Sequence, residues 1–98
     1  KAPHTLKIQI EVTSFQQAME SLAAGADALL LDNMRVEEMR RVVQEVRGRI
    51  PLEASGGITL ANARAIAETG VNFMSVGALT HSAKALDISL EITALKRT

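Results

Sequence analysis

Four polar stations recur down the chain at nearly equal spacing: Glu11, Asp32, Ser55-Gly56-Gly57 and Gly77 stand 21, 23 and 22 residues apart. Each closes a short apolar run, over residues 6–10, 28–31, 50–54 and 71–76. A helical pattern fills each interval. This repetition constrains the fold more than any other feature. It is how parallel strands joined by crossover helices are written in sequence. In such folds, functional groups collect at the C-terminal ends of the strands.

The intervals carry their own signals. Ser14 opens the first helix with Gln17 three residues on, the spacing of a capping box. Phe15, Ala18, Met19 and Leu22 share one helical face, and Gly25 stands where a left-handed residue ends a helix. Ala28–Leu31 is apolar without alternation, which predicts a strand buried on both faces. The second helix is expected over residues 36–47, with Val36, Met39, Val42, Val43 and Val46 as its apolar stripe. Glu37 and Glu38 in its first turn suit the helix dipole, and Gly48 stops it. Thr59 is the expected cap of a third helix that buries Leu60, Ala63 and Ile66 and ends at Gly70. Residues 82–85 read as a helical turn. Beyond them Leu86, Ile88, Leu90 and Ile92 alternate with polar residues, as in a half-buried strand.

The chain has 98 residues, the size of one small domain. With 47% hydrophobic and 22% charged residues it is globular in composition. Phe15 and Phe73 are its only aromatic residues, so the core must be aliphatic. The formal net charge is zero. Without basic segments or stacking aromatics, nucleic-acid binding driven by phosphate neutralisation is not expected. No apolar run approaches the ~20 residues of a membrane span. The absence of cysteine excludes disulfides, thiolate nucleophiles and cysteine zinc sites, and fits a cytoplasmic setting. The chain starts at Lys1 without Met or a signal peptide, which predicts a cut or processed polypeptide. The expected class is α/β, with four βα units forming part of an incomplete TIM-like α/β barrel. A complete barrel takes about 250 residues. Four units would leave open sheet edges and an uncovered apolar face. Further polypeptide, or a second copy, is expected to cover them.

Ser55-Gly56-Gly57 follows the third strand and leads into a helix. Glycines let backbone N–H groups approach a ligand, and helix N-termini suit phosphate. The alternative is a plain strand-to-helix turn. A second turn, Gly77-Ala78-Leu79-Thr80-His81, follows the next strand, and paired turns of this kind hold phosphate in α/β barrels. His81 can donate to a phosphate; otherwise it is a surface histidine. Glu11 and Asp32 end adjacent strands and are candidates to hold Mg²⁺ or to stabilise a developing cation. Their alternatives are a solvent-facing edge residue for Glu11 and, for Asp32, a turn cap aided by Asn33. Arg40, Arg41, Arg64 and Lys84 read as solvated helix faces, and His4 has no assigned role.

Five strings then occur in order: Ile10-Glu11-Val12, Leu30-Leu31-Asp32-Asn33-Met34, Leu52-Glu53-Ala54-Ser55-Gly56-Gly57-Ile58, Ala67-Glu68-Thr69-Gly70-Val71 and Ser75-Val76-Gly77-Ala78-Leu79-Thr80-His81-Ser82. Together they resemble the C-terminal part of the quinolinate phosphoribosyltransferases over essentially the whole chain. The resemblance implies a type II phosphoribosyltransferase. Such an enzyme converts quinolinate and phosphoribosyl pyrophosphate, with Mg²⁺, to nicotinate mononucleotide, pyrophosphate and CO₂ in de novo NAD synthesis. It also implies an incomplete barrel behind a separate N-terminal domain, working as a dimer or higher homo-oligomer.

Carried over by residue, Glu11 and Asp32 match the family's acidic pair near ribose and metal. Ser55, Gly56, Gly57, Gly77 and His81 match the group around the 5-phosphate. Two departures stand out: Gln9 replaces a glutamate of the first-strand motif, and Met34 replaces a frequent Phe. The basic residues that the family uses for quinolinate lie upstream of this region. Residues 1–98 are thus expected to be the C-terminal half of the barrel, inactive without the N-terminal domain and the first part of the barrel. The competing expectations are a paralogous type II enzyme with another acceptor, and a non-catalytic half-barrel that self-associates.

Overall fold

A computed structural model describes residues 7–77 and 79–84. The elements run β1 (Gln9–Val12), α1 (Phe15–Ala23), β2 (Ala28–Asp32), α2 (Val36–Val46), β3 (Leu52–Ser55), α3 (Leu60–Glu68), β4 (Phe73–Val76) and β5 (Leu79–Ser82). They form one sheet in the order β1-β2-β3-β4-β5. β1 to β4 are parallel, and β5 returns antiparallel to β4. The architecture is therefore α/β, a mixed five-stranded sheet with three helices and βα units in sequence order, compatible with a portion of an α/β barrel. The expected fourth unit differs in detail. After β4 the chain turns back as a hairpin, and helix resumes only at Ala83 and Lys84. The proposed strand over residues 86–92 lies outside the described residues.

Two short repeats fix where the strands begin. Gly25-Ala26-Asp27 precedes β2, and Gly70-Val71-Asn72 precedes β4. Asp27 accepts the Ile8 N–H through Oδ2 at 2.8 Å, while its own N–H donates to Ile8 O at 2.8 Å. Asn72 does the same to Leu52: Oδ1 accepts its N–H at 2.9 Å, and the Asn72 N–H donates to Leu52 O at 2.9 Å. Each side chain extends the ladder one step below its strand. The first, third and fourth strands begin later than the apolar runs predict. Glu11 consequently lies inside β1, with Val12 as the last residue.

α2 stops at Val46, one residue short of the expected end, because Arg47 takes the left-handed conformation (φ 53°) ahead of Gly48. Ser14 accepts the Gln17 N–H at 3.1 Å, but the Gln17 amide oxygen reaches back one residue further than a capping box, to the Thr13 N–H at 2.8 Å. Glu38, placed in the first turn of α2, spends its carboxylate on another helix. It accepts the Phe15 N–H at 2.7 Å and so caps α1, where the dipole favours negative charge. Arg41, one turn on in α2, lies over the Phe15 ring at 4.1 Å from its centroid.

All three helices pack on one face of the sheet. Val12, Leu29, Leu31, Leu52, Ala54 and Met74 point into that layer and are buried against Ala18, Met39, Val42, Val46, Ala63 and Ile66. The opposite face carries Glu11, Leu30, Asp32, Glu53, Ser55, Phe73 and Ser75, and none of these is fully buried. The expectation that Ala28–Leu31 is buried on both faces therefore holds for one face only among the described residues. Alternation of side chains puts Leu29 and Leu31 under helices and leaves Leu30 half-buried. Leu60 also departs from expectation: as the first residue of α3 it is 46% exposed, off the face that Ala63 and Ile66 bury.

Candidate functional site

The C-terminal ends of β2 and β3 meet tightly. Asp32 pairs with Ser55 across the ladder, and the Asn33 N–H donates to Ser55 O at 2.8 Å one step beyond. Asn33 takes the left-handed conformation there, with φ 54°. The next residue on β3's side, Gly56, has φ +83° and lies against this corner. A Cβ at Gly56 would stand 2.7 Å from Asp32 Oδ1 and 2.9 Å from Asn33 N. Only glycine fits, for reasons of both dihedral angle and space. The Ser55-Gly56-Gly57 turn and the Asp32 carboxylate are thus one packed unit.

Asn62 secures the far side of the same turn. Its Oδ1 accepts the Thr59 N–H at 2.8 Å, completing the cap of α3, and its Nδ2 donates to Gly57 O at 2.9 Å. The turn's outermost carbonyl is therefore occupied. The Gly56 and Gly57 N–H groups donate to no acceptor among the described residues, and both glycines are exposed in the turn that leads to α3. Backbone N–H groups left free in a turn before a helix can receive an anion.

Glu11 shares the uncovered face and pairs with Leu30, so it lies diagonally from Asp32 on the neighbouring strand. Strand spacings place such diagonal positions about 8 Å apart in backbone. Among the described residues no three His, Cys, Asp or Glu side chains are close enough to hold a metal. Two carboxylates with water and a ligand's phosphates still make a donor set that suits Mg²⁺. None of the five strands carries Lys or Arg, so these residues supply no cationic clamp for a dicarboxylate.

Gly77 follows β4 directly and begins the tip of the hairpin. His81 does not join the rim. In the antiparallel register it pairs with Met74, whose side chain is buried on the helix side. It therefore lies on the opposite face from Asp32 and Ser55. Asp32, Ser55, Gly56 and Gly57 are brought together, Glu11 and Gly77 flank them, and His81 is separated. Glu53 and Asn62 were not singled out by sequence, and Asn33 only as an aid to a turn cap at Asp32. Counting back by two from Ser55 puts Glu53 on the same face, which is the signal that would have found it. A cleft of about 520 Å³ lies at the other end of the sheet, lined by residues that include Gly70, Asn72, Ser82 and Lys84. None of the predicted site residues lines it.

Comparison with known proteins places this geometry in a family. The chain matches "Quinolinate phosphoribosyl transferase, C-terminal domain" over residues 1–91. It is 44% identical over 92 residues to the probable nicotinate-nucleotide pyrophosphorylase (carboxylating) of Bacillus subtilis, a match covering 94% of this chain and 32% of that protein. It is 41% identical over 96 residues to the human nicotinate-nucleotide pyrophosphorylase (carboxylating), covering 95% and 32%. The solved nicotinate-nucleotide pyrophosphorylase of Francisella tularensis superposes with a TM-score of 0.70 at 35% identity, over 81% of this chain and 30% of that one. The chain spans about a third of the length of these relatives. With Asp32 and the glycine turn packed as one unit and the match running almost end to end, the chain belongs to the quinolinate phosphoribosyl transferase C-terminal domain family.

Proposed function

We propose that this chain is the phosphate- and ribose-holding half of a barrel that transfers phosphoribosyl from phosphoribosyl pyrophosphate to quinolinate. Decarboxylation then gives nicotinate mononucleotide, pyrophosphate and CO₂. The observation that supports the reading is that Asp32 Oδ1 occupies the space a Cβ on Gly56 would need, which sets a carboxylate against an exposed glycine turn on one rim.

The Gly56, Gly57 and Gly77 N–H groups would hold the 5-phosphate and fix the ribose, supplying orientation. Ser55 adds a hydroxyl at the same turn, and His81 would contribute only after a change in the β4–β5 hairpin. Asp32 and Glu11 would lie beside the ribose carbon that loses pyrophosphate. Their negative charge stabilises the oxocarbenium-like centre left behind, as carboxylates do in glycoside hydrolysis. The same pair would hold Mg²⁺ together with the ligand's phosphates. When bound, Mg²⁺ neutralises charge on the departing pyrophosphate.

Recognition of quinolinate would fall to cationic residues outside these strands, in the N-terminal domain and the first part of the barrel. The uncovered Leu30 and Phe73 also call for more polypeptide over that face, including a partner copy in a dimer or higher oligomer. A cytoplasmic location fits this chemistry, and no described helix is long and apolar enough to cross a membrane.

The test is formation of nicotinate mononucleotide from quinolinate, phosphoribosyl pyrophosphate and Mg²⁺ by this chain joined to the N-terminal domain and the first part of the barrel, with release of CO₂. Product from quinolinate supports the reading. Turnover only with a different acceptor would replace it with that of a paralogous phosphoribosyltransferase. A dimer with no turnover under any acceptor would favour a non-catalytic half-barrel.

A further inference from the structure

We infer that Glu53 is a positioning residue for the Gly77 turn, and through it for the phosphate of a ribose 5-phosphate ligand; this rests on the phosphate reading of that turn. Glu53 sits on the uncovered face of β3, level with Leu30 on one side and Phe73 on the other. Its Oε2 accepts from Ser75 Oγ at 2.8 Å on β4, and from Thr80 Oγ1 at 3.4 Å on β5. The two hydroxyls are 3.1 Å apart. Ser75 and Thr80 are cross-strand partners, and Val76 with Leu79 is the next pair toward the tip. One carboxylate oxygen therefore holds both arms of the hairpin, immediately below the tip that begins with Gly77.

The chemistry explains why a carboxylate serves here. Ser75 gives its one proton to the carboxylate at 2.8 Å, and Thr80 has one proton to share between Ser75 Oγ at 3.1 Å and Glu53 Oε2 at 3.4 Å, so the carboxylate holds Ser75 directly and Thr80 directly or through Ser75. Bonds to an ionised acceptor are roughly twice as strong as neutral ones. Among the described residues no strand carries Lys or Arg to draw Glu53 into an ion pair instead. Its partners are the hairpin's own hydroxyls.

The bland alternative makes the opposite prediction. Glu53 adds a negative charge to a face that already bears Glu11 and Asp32. If charge were its only effect, it would repel a phosphate, and removing it would tighten binding. If it holds the turn, removing it weakens binding.

The experiment is a calorimetric titration of the protein with ribose 5-phosphate, for the parent and for Glu53→Ala, Glu53→Gln, Ser75→Ala and Thr80→Val. Glu53→Ala is expected to weaken binding about tenfold, the scale of losing a charge-assisted clamp. Glu53→Gln keeps an acceptor oxygen and should stay within about threefold of the parent. Ser75→Ala should weaken binding alone but add little in the Glu53→Ala background, since both act through one network. Should Glu53→Ala fail to fold, Ser75→Ala and Thr80→Val leave the carboxylate intact and must still lower affinity. Glu53→Ala binding as tightly as the parent, or tighter, overturns this inference alone. No binding by the parent at millimolar ligand overturns the phosphate reading and this inference with it.

Discussion

The carboxylate of Asp32 fills the space that a side chain on Gly56 would need: its Oδ1 lies 2.7 Å from the position of a Gly56 Cβ. The strand end that supplies the acid and the turn that supplies the N–H groups are therefore not independent. Gly56→Ala is expected to destabilise the protein by about 2–4 kcal/mol, from a left-handed residue combined with overpacking. Urea denaturation measures it. Adding Asp32→Ala should recover only part of the loss, because Asn33 N would still stand 2.9 Å from the new Cβ. Full recovery, or a Gly56→Ala cost near zero, would contradict the packed corner.

Asn62 offers a milder way to loosen the same turn. Asn62→Ala removes the cap on Thr59 N and the donor to Gly57 O. It should cost about 1 kcal/mol, the usual value of a helix cap. Ribose 5-phosphate affinity should fall with it, while Asn62→Asp should keep the cap on Thr59 N but still loosen the turn, since a carboxylate oxygen then faces Gly57 O in place of the donor.

The bridges below the sheet should differ in weight. The Asn72 bond to Leu52 is part-buried, and the Asp27 bond to Ile8 is exposed. Asn72→Ala is expected to cost about 1–3 kcal/mol, as a buried donor loses its partner. Asp27→Ala should cost less than Asn72→Ala, because water can replace it. Both are read from thermal or urea unfolding, and equal costs would count against the burial difference.

Neighbouring leucines of β2 test the one-sided core. Leu31→Ala should cost about 2–5 kcal/mol, the range for a filled interior. Leu30→Ala should cost clearly less in these residues alone, because Leu30 is only half-buried. Comparable losses would mean that the uncovered face is covered in solution, by further polypeptide or a second copy.

Much of this was legible in sequence. The spacing of Glu11, Asp32, Ser55 and Gly77 predicted parallel strands whose ends share a rim, and strand–helix periodicity is dictated locally. Apolar stripes such as Met39, Val42 and Val46 identify the buried face for the same reason. What escaped the reading depends on contacts across the chain. Glu38 in the first turn of α2 looked like a dipole partner for its own helix but caps α1, 23 residues away. His81 looked like a rim residue because it follows Gly77, yet the hairpin register turns it to the helix side. Counting back two from Ser55 places Glu53 on the rim face, but only the pairing of β4 with β5 brings Ser75 and Thr80 to its Oε2. Sequence spacing gives the order of groups along the rim, while register and turn geometry decide which way each one faces.

The measurement that bears most directly on the central claim is a residue-resolved amide NMR titration of the protein with nicotinate mononucleotide. The account predicts shifts concentrated at Asn33, Gly56, Gly57, Asn62 and Gly77, at the C-terminal ends of the strands. Shifts confined to the cleft near Gly70, Asn72 and Lys84 at the opposite end, or no shifts at millimolar ligand, would contradict it.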